Sequence, residues 1–175
     1  MSYEFQLFIP EQGKSLEECY SPESEEEKLL QQLTGGSDGE LSFDMAAIMT
    51  ASKNFTISED ELASIQGLVN RLLEFNSEFE AVETDMSVEL THPTGIQISF
   101  FCGKSISVSV PFWYEGEECR RVYSLMWEVC RLLNSYAGYC AYDGQLERYY
   151  DFKCDDLPEE VIALSESMKS RIQTL

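Results

Sequence analysis

Residues 136 to 151 read YAGYCAYDGQLERYYD, which sets Tyr136, Tyr139, Tyr142, Tyr149 and Tyr150 around Asp143, Glu147, Asp151 and Gln145. Carboxyls beside phenols are the materials of general acid–base chemistry, because a cleft that strips water from one carboxyl raises its pKa and lets it carry a proton near neutral pH. Used in that way, the stretch would serve a small hydrolase or transferase with a Tyr/Asp cleft. Asp143-Gly144 has a more direct explanation: this dipeptide between β-prone runs signals a hairpin turn in which the aspartate accepts backbone hydrogen bonds. Nothing in the spacing selects a reaction. The tyrosines then pack half-buried and half-wet, which is also what suits them to protein interfaces. The expected order is a hairpin first, a docking surface second and a reaction centre last.

Other chemistries find less support. Structural zinc needs clustered Cys or His pairs, whereas this chain has no CxxC and one histidine, His92. No acidic loop alternates Asp or Asn around a central Gly as a calcium loop does, and no glycine-rich phosphate loop is present, so no cofactor is implied. For His92 to activate Cys102, the two would have to lie within hydrogen-bond reach; the strand pattern puts them a strand length apart. The six cysteines are irregularly spaced and are expected to be mostly reduced and buried.

Charge narrows the partners. With 32 acidic and 12 basic residues the net is -20, which repels nucleic acid and anionic membrane. Arg120 and Arg121 sit behind Glu115, Glu117 and Glu118 rather than in a basic stripe. A basic protein would be attracted and steered in. Trp113 and Tyr114 follow a proline at the end of a strand; where they lie near Tyr139, Tyr142 and Gln145 of the hairpin, they would make an aromatic patch rimmed by Glu115, Glu117, Glu118 and Asp143, and these are the candidate partner-binding residues. A DNA mimic is the third reading, weakened because most acids stand at helix N-termini. No apolar run is long enough to span a membrane and the start lacks a signal-peptide pattern, so the cytoplasm is the expected compartment.

The elements that must position these residues follow from periodicity. YEFQLFI places Tyr3, Phe5, Leu7 and Ile9 on one face of a strand ended by Pro10. Ser21 and Pro22 open a short helix packed through Leu29, Leu30 and Leu33, and residues 43 to 52 suggest another. Ser58 and Glu61 have capping-box spacing, with Ile57 and Leu62 at the staple positions, ahead of a stripe from Leu62 through Ile65, Leu68, Val69, Leu72 and Leu73 to Phe75. Three strands follow. Odd-numbered loops pairing Leu90 with Ile96 and Phe100 with Ile106 put every large apolar residue on one face and Gln97, Ser99, Phe101, Ser105, Ser107 and Ser109 on a wet or polar-covered face.

A long helix is expected from Gly116 to Ala137, with a polar strip of Glu117, Arg121, Ser124, Glu128, Arg131 and Ser135 and Gly138 as its cap. The Asp143-Gly144 hairpin is read with a two-residue loop pairing Tyr142 with Gln145. Pro158 begins a C-terminal helix with a Val161, Leu164, Met168, Ile172 stripe. The fold class is α+β, a mainly antiparallel sheet with helices packed chiefly on one face, in one domain over residues 1–175.

MSYE at the start, GIQISFF and SVSVPFWYEGEECRRVY in the middle and GYCAYDGQL near the end together resemble a group of small acidic bacterial proteins. That group shows an N-terminal Met-Ser-Tyr-acid strand, a Val-Pro-x-Trp strand end and a Gly-Tyr, Tyr-Asp-x-Gln-Leu hairpin. The match covers Tyr3 to Ile9 and about residues 95 to 151. It carries no catalytic residues over. It implies an immunity or antitoxin-like protein that inhibits a basic toxin domain by docking. Gly144 stands where the pattern has Pro, which would favour a type I turn in the relatives.

Overall fold

Along the first strand Tyr3, Phe5 and Leu7 alternate with Glu4, Gln6 and Phe8, and the two sets face opposite sides of the sheet because β side chains have a period of two. A computed structural model describes residues 2–20, 57–84, 87–101, 105–153 and 156–172. Strand β1, Ser2–Phe8, buries Tyr3, Phe5 and Leu7 as its alternation predicts. Ile9 does not join them and is 43% exposed. The last β6 partner of β1 stands opposite Phe8, so Ile9 lies beyond the ladder. A short helix α1, Leu16–Cys19, follows with a Ser15/Glu18 capping box. The helix expected from Ser21 and the one over 43–52 lie outside the described residues.

Helix α2, Glu59–Phe75, starts where the Ser58/Glu61 box places it and buries Ile65, Leu68, Val69 and Leu72. Leu62 and Leu73 pack partly against the core, while Phe75 at the last turn is 43% exposed. Four strands follow rather than three: β2 Glu80–Glu83, β3 Ser87–Thr91, β4 Gln97–Phe101 and β5 Ile106–Pro111. β2 is exposed throughout and carries no alternation of its own; pairing with β3 makes it a strand.

The faces of β3 to β5 are those predicted, with Phe100 opposite Ile106, but Leu90 stands opposite Ile98, not Ile96. The correction comes from the loop. His92 and Ile96 close it with a backbone bond of 2.9 Å, leaving Pro93, Thr94 and Gly95 as three loop residues with Gly95 at φ +76°, a common hairpin solution in which the last residue is left-handed. A shift of two residues keeps every side chain on its own face.

Helix α3 spans Gly116–Ala137 and ends at Gly138, whose φ of 77° is the left-handed cap that glycine allows. The predicted polar strip is exposed along its whole length, and Val122, Tyr123, Met126, Trp127, Val129, Cys130 and Leu133 are buried. Strands β6, Cys140–Asp143, and β7, Arg148–Tyr150, precede helix α4, Glu159–Ile172, which packs through Val161, Leu164 and Met168.

The sheet is antiparallel throughout, in the order β2-β3-β4-β5-β1-β6-β7. One core joins the inward side chains of the sheet to α2, α3 and α4. Trp127 sits edge-on to Phe5, Tyr150 and Phe152, an arrangement aromatic quadrupoles favour. The chain is therefore the α+β protein its patterning predicts, helices lying chiefly on one face. No helix among the described residues is long and apolar enough to cross a membrane.

Candidate functional site

The hairpin departs from its expected turn. Asp143 stands opposite Arg148, Tyr142 opposite Tyr149 and Ala141 opposite Tyr150, so the loop is the four residues 144 to 147 and not Asp143-Gly144. The left-handed position falls on Glu147, φ 53°. The physical reason is the destination of the Asp143 side chain. Opposite Phe5 on the inward face, it is wholly buried and stays in the strand. Its Oδ1 accepts from the amides of Gln145 at 2.9 Å and Leu146 at 3.1 Å, and its Oδ2 accepts from the Tyr3 hydroxyl. The aspartate does hold its own turn, as turn chemistry predicts, but from within the core.

The surroundings are polar yet dry. Burial raises the Asp143 pKa above the usual carboxylate range, overcoming the Tyr3 hydroxyl, the two loop amides and Arg148, all of which favour the charge. Burial, and then Asp143, raise Tyr3 as well, and burial with the Asp143 charge pushes Tyr150 up to about 12. Tyr123 lies edge-on to Tyr3 at 5.6 Å and accepts a 2.7 Å bond from the buried Ser165. Asp143 thus stands in a filled interior rather than in a cleft, and the cavities of about 350, 250 and 420 Å³ formed by described residues are lined by neither Asp143 nor Asp151. The reading of Asp143 as part of an exposed acidic rim is corrected by its burial.

The remaining predicted residues separate into groups. Trp113 is 68% exposed and lies over Gly95, where an added Cβ would come 3.0 Å from Pro111 and 3.6 Å from the indole. Tyr114 donates from its hydroxyl to the Thr94 carbonyl at 2.6 Å, fastening the loop after β5 to the β3–β4 loop. Glu115, Glu117 and Glu118 are exposed beside them. Glu115 pairs with Lys169 at 2.9 Å and Glu118 with Arg121 at 3.8 Å, whereas Glu117 has no ion-pair partner among the described residues. Gln145 is exposed at the hairpin tip and accepts from the Glu4 amide at 3.4 Å. Ser2 is level with Pro111, and Phe5 with Asp143, so β1 brings the hairpin tip to the same end of the sheet as Trp113, about 10 Å across two strand spacings.

Tyr142 and Tyr139 do not belong to that end. Tyr142 faces the side of the sheet opposite Asp143 and meets Tyr20 and Tyr149 at 5.4 and 5.0 Å. Tyr139 is buried, its carbonyl holding Asn134 at 2.7 Å, which corrects its assignment to an exposed patch. It lines a groove of about 350 Å³ at the far end, with Ile9, Asp60, Ile65, Leu68 and Tyr136. Sequence reasoning missed this groove because Ile9 and Tyr136 meet only through the fold; the exposed Tyr136 ring also carries Arg71 at 5.2 Å.

His92 is occupied structurally. Its Nδ1 accepts from the Thr94 amide at 3.2 Å, its Nε2 lies 3.3 Å from Asn76 Nδ2, and its ring packs on Phe79. Cys119, Cys130 and Cys140 are free and buried, and Cys19 is free and half-buried; Cys102 and Cys154 lie outside the described residues. Burial raises the Cys130 thiol pKa strongly, as expected of a thiol acting as a small hydrophobe. Compared with models of known protein families and with curated proteins, the sequence matches none.

Proposed function

We propose that this chain is a protein-binding protein that docks a basic partner, and that its use is of the immunity or antitoxin kind, inhibition of a cationic toxin domain by contact. The observation that carries the reading is Trp113. A large indole left 68% exposed beside Gly95 and next to the tethered Tyr114 is the kind of side chain that anchors interfaces. Glu117, Glu118 and Gln145 flank it at the same end of the sheet, and a net charge of -20 would speed the encounter with a cation. The cytoplasm is the compartment this reading assigns.

The test is capture from the native cell with the wild-type chain, Trp113→Ala and Glu117→Lys as parallel baits, followed by identification of what is retained and co-expression with the product of the neighbouring gene. The reading expects one basic protein whose affinity falls by about 2 kcal/mol with Trp113→Ala, and growth protection that falls in the same order. A retained set indifferent to both substitutions, while both variants remain folded, defeats it.

A further inference from the structure

We infer that the sheet face turned away from the helices is a second docking surface, one that receives an extended Lys- or Arg-bearing segment of a partner along β5. The inference rests on the reading that the partner is cationic but uses none of the residues around Trp113.

The register builds this face in one straight rank. Val82, Glu89, Ser99, Ser107, Gln6, Tyr142 and Tyr149 stand opposite one another in turn across all seven strands, a span of about 29 Å from six strand spacings. The side chains are large at the ends and small in the middle. Ser99 and Ser107 are 7% and 9% exposed. The result is a serine floor along β5 between a wall of Glu4, Gln6 and Phe8 and a wall of Gln97 and Phe101. At one end Phe8 stacks on Tyr20 at 5.1 Å beside Tyr142.

Among the described residues its electrostatics are one-sided. Glu4 accepts from Gln6 Nε2 at 2.6 Å and from the Ser107 hydroxyl; Glu89 accepts from Gln97 at 3.2 Å and Ser87 at 3.4 Å. All four donors are neutral. They orient the carboxylates and cancel none of their charge. No strand residue on this face is Lys or Arg. On the helices, by contrast, Arg71, Arg120, Arg121 and Arg131 each have an acidic partner, and Arg148 at the β7 edge reaches Glu160 of α4. Unbalanced, half-buried, pre-oriented carboxylates attract a cation more strongly than fully wet ones do. Exposed Phe101 and Val82 offer apolar surface to the aliphatic stems of Arg or Lys. A second copy of this chain would bring the carboxylates of two such faces together unpaired, which the same argument disfavours.

The test is a titration of the isotope-labelled full chain with a twelve-residue peptide of alternating arginine and serine, read by amide NMR shifts at about 0.15 M salt. Saturable shifts gathered on Gln6, Ser99, Ser107 and Tyr142 are expected. The pair Glu4→Gln with Glu89→Gln should weaken the peptide about fivefold, on the scale of two partly screened charge contacts, while Trp113→Ala leaves it unchanged. Shifts that gather around Trp113 and yield only to Trp113→Ala overturn this inference and leave the proposed function standing. Absence of saturable binding anywhere overturns this inference, while the proposed function is decided by the Trp113→Ala capture. Self-association of the chain that the double variant strengthens assigns the face to a second copy, and also overturns the inference.

Discussion

Tyr3 and Glu4 are neighbours in β1 and belong to opposite faces of one sheet, and on each face a carboxylate is held by a hydroxyl. On the inner face the Tyr3 hydroxyl holds Asp143 among Tyr123, Tyr150 and the loop amides, both side chains wholly buried. On the outer face the Ser107 hydroxyl and Gln6 hold Glu4 half in solvent. The chemistry is nearly the same and the energetics are opposed. Desolvation makes the inner carboxylate costly to leave unpartnered, so it fixes the fold; the outer one keeps part of its hydration, contributes little to stability, and can still respond to a cation. Acidic residues with one composition thus divide into those committed to structure and those open to a partner.

The strongest way to break this comparison is Asp143→Ala. It leaves the buried Tyr3 hydroxyl and the part-buried Gln145 and Leu146 amides without their acceptor, and we expect a loss of about 3 kcal/mol, read from the midpoint of urea unfolding. A loss below about 1 kcal/mol, the scale of a surface change, would place Asp143 in the same class as Glu4.

A smaller effect comes from pH, with Asp143→Asn as the reference because it keeps the shape and one acceptor oxygen. Burial holds the folded pKa of Asp143 above the ordinary value, so the unfolded chain releases this proton first. Between the two values the native state binds more protons, and stability contributed by this group is full below about pH 4 and declines as pH rises through the folded pKa. The stability of the wild type relative to Asp143→Asn should therefore fall as pH climbs out of that range. A constant difference would show that the site does not titrate on folding.

The hairpin loop between β6 and β7 gives the next effect. Gly144 takes no positive φ, and a Cβ there would meet Tyr142 at 3.6 Å, an ordinary contact. Gly144→Ala should stabilise the chain by about 0.4–1 kcal/mol through the unfolded state, measured by the same denaturation. The smallest effect is expected from Glu4→Gln with Glu89→Gln, within about 0.5 kcal/mol, since a glutamine oxygen can accept the same hydrogen bonds. A larger loss would mean that the outer carboxylates support the fold.

What the sequence made legible follows from how local each signal is. The bounds of α3, its polar strip and its glycine cap depend on neighbours a few residues apart, and all were readable. So were the Ser58/Glu61 box and the face parity of β3 to β5, because a period of two survives a shift of two in register. β2 was not legible, since a fully exposed Glu-Ala-Val-Glu has no pattern until β3 lies beside it. The turn was misread for a related reason. Asp-Gly promises a tight loop, but the carboxylate answers to a tyrosine 140 residues away, and that contact keeps Asp143 in the strand. The aromatic, acidic patch was half legible: Trp113, Glu117 and Gln145 gather at one end of the sheet, whereas the burial of Asp143 and Tyr139 depended on strand order.

The place of β1 also has a consequence for how the molecule is made. This strand is translated ahead of both its sheet neighbours, β5 and β6, and Asp143 follows Tyr3 by 140 positions. At ribosomal speeds of about 5–20 residues per second, that interval is roughly 7–28 s. Until β5 and then the hairpin have been made, the apolar face of Tyr3, Phe5 and Leu7 is without its native neighbours.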